Sequence, residues 1–93
     1  MGKTIQSQIL TLSMTPTVLT PSSGETWWVI EIGVNTQSIT VDEGDGTTWY
    51  NVMRLAPGLV QFDPPLALTP SKRLRLAASA GTAYVVITYI VQT

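Results

Sequence analysis

Apolar residues recur at every second position in short runs, and nowhere do they hold a 3.6-residue period over three turns. A period of two predicts strands. The longest run closes the chain, Thr82–Thr93, rich in β-branched and aromatic residues and free of Gly and Pro. Its odd positions (Ala83, Val85, Ile87, Tyr89, Val91) make one apolar face. Its even face (Tyr84, Val86, Thr88, Ile90) is mixed, and too apolar for a sheet wetted on that side. Thr26–Val34 has the same two-sided character, with Trp28, Ile30, Ile32 and Val34 expected inward and Trp27, Val29 and Glu31 outward. Two such strands predict one sheet whose outer face is covered by another copy or a partner.

The remaining runs are shorter. Leu10, Leu12 and Met14 share one face of Ile9–Met14, while Ile5 and Ile9 fall out of phase, so residues 1–8 are expected to form a separate arm. Pro16 and Pro21 confine Thr17–Leu19 to a short edge segment or an extended connection. Ser38–Asp42 turns Ile39 and Val41 inward, and the Asp-Gly-containing loop Asp42–Gly46 leads into Thr47–Leu55. There, Trp49, Met53 and Leu55 are expected on one face, with Tyr50, Val52 and Arg54 on the other. Leu59–Phe62 is a short strand closed by Asp63-Pro64-Pro65, after which Leu66 and Leu68 enter. Lys72–Ala78 then places Leu74 and Leu76 inward and Arg73 and Arg75 outward. About eight strands at this spacing, with no crossover helix, predict an all-β, antiparallel, jelly-roll-like sandwich over residues 9–93.

Composition narrows the function. Charged residues are 12% of the 93, roughly half the usual share, so much of the surface is uncharged or in contact. The net charge of −1, with five scattered cations, argues against nucleic acid. No run approaches a membrane span or a secretory h-region, so a soluble intracellular product is expected. Without cysteine or histidine, thiolate metal sites and the commonest general base are absent.

Other chemistry fares no better. The acidic loop Asp42-Glu43-Gly44-Asp45-Gly46 departs from calcium-loop spacing at its third, fifth and sixth positions, which favours a solvated turn over a metal site. The carboxylates are gathered on that loop or scattered, and Ser71 and Lys72 point to opposite faces of an extended chain. No enzyme activity, cofactor or metal is expected. The candidate interface comprises Trp27, Val29, Glu31, Arg73, Arg75, Tyr84, Val86, Thr88 and Ile90, with Glu31 able to pair with the arginines within the chain or between copies. The alternative is a carbohydrate-binding or host-recognition module using Trp27, Trp49 and Tyr50.

Leu19-Thr20-Pro21-Ser22-Ser23-Gly24-Glu25-Thr26-Trp27-Trp28-Val29-Ile30 resembles a phrasing of small virion proteins of tailed bacteriophages, where a Pro and a Gly-Glu turn introduce a Trp-bearing strand. Phe62–Leu76 is similar to their later segment, an apolar-Pro turn leading into a Leu-x-Leu strand, and Gly81-Thr82-Ala83-Tyr84-Val85-Val86-Ile87-Thr88-Tyr89 completes the likeness. The resemblance covers most of the chain from Leu19 onward as a pattern of turns and strands. It implies a jelly-roll capsid decoration (cement) protein, a homo-oligomer with a trimer favoured, bound to the major capsid protein of a virion assembled in the host cytoplasm. It carries over no catalytic residue. No long fibre repeat is present, which lowers the tail-fibre option.

Overall fold

The computed structural model describes residues 2–93. Eight strands follow one another: β1 (Lys3–Leu12), β2 (Thr17–Leu19), β3 (Thr26–Asn35), β4 (Ile39–Gly44), β5 (Trp49–Leu55), β6 (Gly58–Leu68), β7 (Arg73–Ala78) and β8 (Ala83–Gln92). They form two antiparallel four-stranded sheets, in the orders β1-β8-β3-β6 and β2-β7-β4-β5. β1 pairs with β8, β2 with β7, β3 with β6 and β4 with β5. The chain is thus one long hairpin rolled up on itself, the jelly-roll wrap that the alternation and turn spacing predict.

Proline decides where the edges fall. β2 is a three-residue strand between Pro16 and Pro21, at the margin of the second sheet. β6 holds Pro64 and Pro65 and lies at the margin of the first, where their missing N–H groups break no ladder. The expected short strand Leu59–Phe62 and the entry of Leu66 and Leu68 are one strand, interrupted in register opposite Val29–Glu31. The Asp63–Pro64 peptide bond is cis.

Leu12, Ile32, Ile39, Leu74, Leu76 and Ile87 are fully enclosed between the sheets. Tyr89 closes one end, its ring stacked 4.5 Å from that of Trp27. Beside them Pro21 is buried, and the Glu25 carboxylate accepts hydrogen bonds from the Ser22 N–H (3.1 Å) and the Trp27 indole (3.2 Å).

Three expectations are corrected. Met1 lies outside the described residues, but residues 3–8 are no separate arm: they belong to β1 and pair in unbroken register with β8. Ile5 and Ile9 oppose Ile90 and Val86 on the outer face; in a strand, residues four apart share a side.

The second correction concerns β3. Val29 opposes Tyr89 and Glu31 opposes Thr88, so Ile30 is an extra residue, a β-bulge. The bulge inverts the phase ahead of it. Ile32 and Val34 point inward as expected, but so do Val29, which is wholly buried, and Trp27, while Trp28 lies outside.

The third is the same effect in β5. Val41 opposes Met53 and Asp42 opposes Asn51, leaving Val52 unpaired. Met53 and Leu55 face the core as expected, and Trp49 is carried to the outer face of the second sheet.

Removing Ile87 to alanine should cost about 2–5 kcal/mol, as for other buried aliphatics. Deleting Ile30 should cost more, because it would rotate Val29 and Trp27 out of the core together. Urea unfolding compares the two, and a deletion variant as stable as Ile87→Ala would mean that the bulge does not set the inward face.

Candidate interaction surface

The register of the first sheet lays its outer side chains in rows that cross all four strands. Ile9, Val86, Gly33 and Leu59 make one apolar row, and Ile5, Ile90, Trp28 and Ala67 another. Between them runs a polar row of Ser7, Thr88, Glu31 and Gln61. Within it Ser7 and Thr88 hydroxyls meet at 3.2 Å, and the Gln61 amide donates to Glu31 at 3.5 Å. Thr11, Tyr84 and Asn35 continue the face beyond the first apolar row. Glu31 is the one charge in these four rows.

Much of this face is open. Ile9 is 79% exposed, Ile5 70% and Leu59 62%, and Tyr84 and Val86 are exposed as well. Covering an isoleucine of this kind is worth about 1.5–3 kcal/mol, so the two apolar rows are a strong potential contact. Trp28 lies across the second of them with its indole N–H given to Gln92 at 2.8 Å, which leaves the flat ring as the contact surface.

The outer face of the second sheet differs in kind. Arg75 donates two hydrogen bonds to one Asp42 oxygen, at 2.8 and 3.0 Å, and Asn51 donates to the other at 3.0 Å. The Arg75 guanidinium also lies over the Trp49 ring, 4.7 Å from its centroid. Gly44 is required beneath that ring, because a Cβ there would strike both the indole and the Thr48 carbonyl. Burial pushes the Asp42 carboxyl up, but the hydrogen bonds from Asn51 and Arg75 and the Arg75 charge outweigh it and hold it below its ordinary value. At the adjacent turn Asp45 accepts from the Thr48 and Thr47 N–H groups, both at 2.8 Å, which likewise lowers it. The acidic loop spends Asp45 on its own turn and Asp42 on Arg75 and Asn51, and Glu43 faces Lys72 at 4.0 Å.

The expected interface therefore divides. Tyr84, Val86, Thr88, Ile90 and Glu31 lie together on the outer first sheet. Arg73 and Arg75 lie on the opposite side of the molecule, so Glu31 takes Gln61 as its partner and no arginine. Val29 and Trp27 leave the set, being turned inward by the bulge. Ile5, Ile9, Trp28 and Leu59 join it. Ile5 and Ile9 were visible as a matched pair four residues apart; Trp28 was hidden because nothing local marks the bulge.

The aromatics proposed for sugar do not form a platform. Trp27 is stacked inside on Tyr89, Trp49 lies beneath Arg75, and the exposed Tyr50 ring stands apart from both. Tyr50 borders an open groove of about 370 Å³ with Glu43, Ser71 and Lys72. Among the described residues no group of three or more His, Cys, Asp or Glu side chains is placed to hold a metal ion.

No protein-family model matches the chain, and no curated protein is significantly similar to it. Among solved structures, the crystal structure of the Drosophila NLP core, described as giving insight into pentamer formation and histone binding, is similar in fold. It aligns over 94% of this chain and 98% of its own with a TM-score of 0.59 at 11% identity. At that identity the likeness is one of architecture.

Asp42→Asn should destabilise the chain at neutral pH by about 1–2 kcal/mol through loss of charge-assisted hydrogen bonds. Since folding lowers the Asp42 pKa, its contribution is whole above the unfolded value of about 4 and is lost as pH falls through the folded one. The gap between wild type and variant in urea midpoint should thus narrow on acidification to below about pH 4. A gap that stays constant would remove Asp42 as an anchor of that face.

Proposed function

We propose that the chain is a structural protein of a tailed-phage virion, a capsid decoration protein that acts by assembling and by covering apolar surface. In this reading it is a homo-oligomer, with a trimer the stoichiometry that the sequence resemblance implies, and it docks on the major capsid protein. The observation that carries the reading is the outer face of the first sheet: two apolar rows across four strands, with a single carboxylate between them. Such a face suits a contact of ordinary size, about 800 Å² from each partner. The mechanism is physical. Weakly polar contacts repeated by symmetry over a shell sum to a large resistance to its expansion, though each alone is modest.

Two further observations support an assembling role. On the second sheet Asp42 and Arg75 hold one another, while the most exposed aliphatic residues of the strands, Ile5, Ile9 and Leu59, lie on the first sheet. The Drosophila NLP core, of similar architecture, is described as giving insight into pentamer formation, so this sandwich is compatible with oligomer formation in at least one other protein.

The test pairs Val86→Glu with Ile90→Glu and compares it with Arg54→Glu on the opposite sheet. In co-sedimentation with capsid shells lacking the protein, wild type and Arg54→Glu should bind, and the double variant should lose at least tenfold in affinity. Loss of one modest apolar contact and introduction of a desolvated carboxylate at each site account for that factor. Equal binding by all three, or none by wild type, would refute the proposal.

A further inference from the structure

Every sheet has two edges, and unpaired strand edges are templates for other chains. Three of the four edges here are guarded. β2 is three residues long between prolines, β6 carries two prolines and a break in register, and β5 is bulged at Val52 and bears Arg54. β1 has none of these devices. Its ten residues hold no Pro, Gly or bulge, and its one charge, Lys3, sits at the end.

The groups offered by that edge can be identified. The Thr93 N–H donates to the Gly2 carbonyl at 3.0 Å, continuing the register in which Lys3 opposes Gln92. Hydrogen-bonded and non-hydrogen-bonded pairs alternate in an antiparallel ladder, so even residues of β1 are bonded to β8. The odd residues, Ile5, Ser7, Ile9 and Thr11 among them, aim their N–H and C=O groups at the open edge. The close approach of the Ser7 and Thr88 hydroxyls agrees, since directly opposed side chains are nearer in the non-hydrogen-bonded pairs.

We propose that β1 pairs antiparallel with β1 of a second copy about a two-fold axis at Ser7, joining two first sheets into one of eight strands. An antiparallel pair of identical strands is self-complementary, as a two-fold contact must be. In this register Ser7 faces its own counterpart and Ile5 faces Ile9 of the second copy, roughly ten backbone hydrogen bonds form, and each apolar row runs on into one of the partner copy. The inner side matches as well. The Gln8 amide nitrogen donates to the Tyr89 hydroxyl, which donates in turn to the Gln6 carbonyl oxygen at 3.3 Å. That leaves a Gln6 N–H and a Gln8 oxygen unspent, and the register sets Gln6 opposite Gln8 of the second copy, donor to acceptor. The contact uses an edge while shell docking uses a face, so it does not rest on the virion reading and is tested on the purified chain alone.

The chain has no cysteine, so introduced thiols report cleanly. Under mild oxidation Ser7→Cys should form a disulfide-linked dimer, its Cα pair at about 5.5 Å lying within disulfide reach. A mixture of Ile5→Cys and Ile9→Cys should cross-link, while each alone should not, its own counterpart being four residues or about 14 Å away. Ser7→Pro removes an N–H that β8 does not use, so it should keep the native circular dichroism and weaken self-association at least tenfold in sedimentation. Cross-linking of Ser7→Cys no faster than of Ser71→Cys in the exposed turn between β6 and β7, or of the single isoleucine variants as fast as their mixture, would overturn the proposal. So would a folded Ser7→Pro chain that associates like wild type. Cross-links that survive Val86→Glu with Ile90→Glu while shell binding is lost would separate the edge contact from the face contact.

Discussion

One inserted residue governs how this sandwich meets its surroundings. A strand alternates its side chains strictly, so β3 without a bulge would send either Trp27 and Val29 or Ile32 and Val34 out of the core. Ile30 lets it bury both pairs. Trp27 can then stack on Tyr89 and close the open end, while Trp28 is released to the outside beside Ile90. The interior and the candidate docking face are therefore settled by the same local irregularity. The bulge also falls where β6 loses register, so the two strands depart from regular pairing at the same level of the sheet.

The two outer faces solve opposite problems. On the second sheet a carboxylate, a guanidinium, an amide and an indole satisfy one another, with Gly44 making room for the ring. Those four groups have their partners within the chain, while Val18 and Val52 stay exposed on the same sheet. On the first sheet the polar row is uncharged except for Glu31, and the flanking rows are aliphatic or aromatic. Removing that surface from water desolvates one carboxylate, Glu31, which keeps the Gln61 amide at 3.5 Å and needs a further donor from whatever covers it.

Much of the architecture was legible because it depends on local chemistry. Pro16 and Pro21 bracketed the short edge strand β2, Leu74, Leu76, Val85 and Ile87 marked the core by simple alternation, and Pro64 and Pro65 pointed instead to the end of a strand that runs on to Leu68. The misplaced faces share one physical cause. A bulge leaves no signature in composition, so Trp27, Val29 and Trp49 were each assigned to the wrong side by counting across Ile30 or Val52. The interface was half legible for a related reason. That β8 is apolar on both sides could be read from its residues, but which strands flank it could not. Arg73 and Arg75 were accordingly grouped with a sheet to which they do not belong.

The place of β8 bears on how the fold can be reached during synthesis. It lies between β1 and β3, yet it is translated after all seven other strands. Until it leaves the ribosome, β1 has no neighbour to bond and the first sheet lacks its middle. Closure of that sheet therefore rests on pairings of the widest sequence separation in the chain, β1 with β8, which form late and slowly compared with local hairpins.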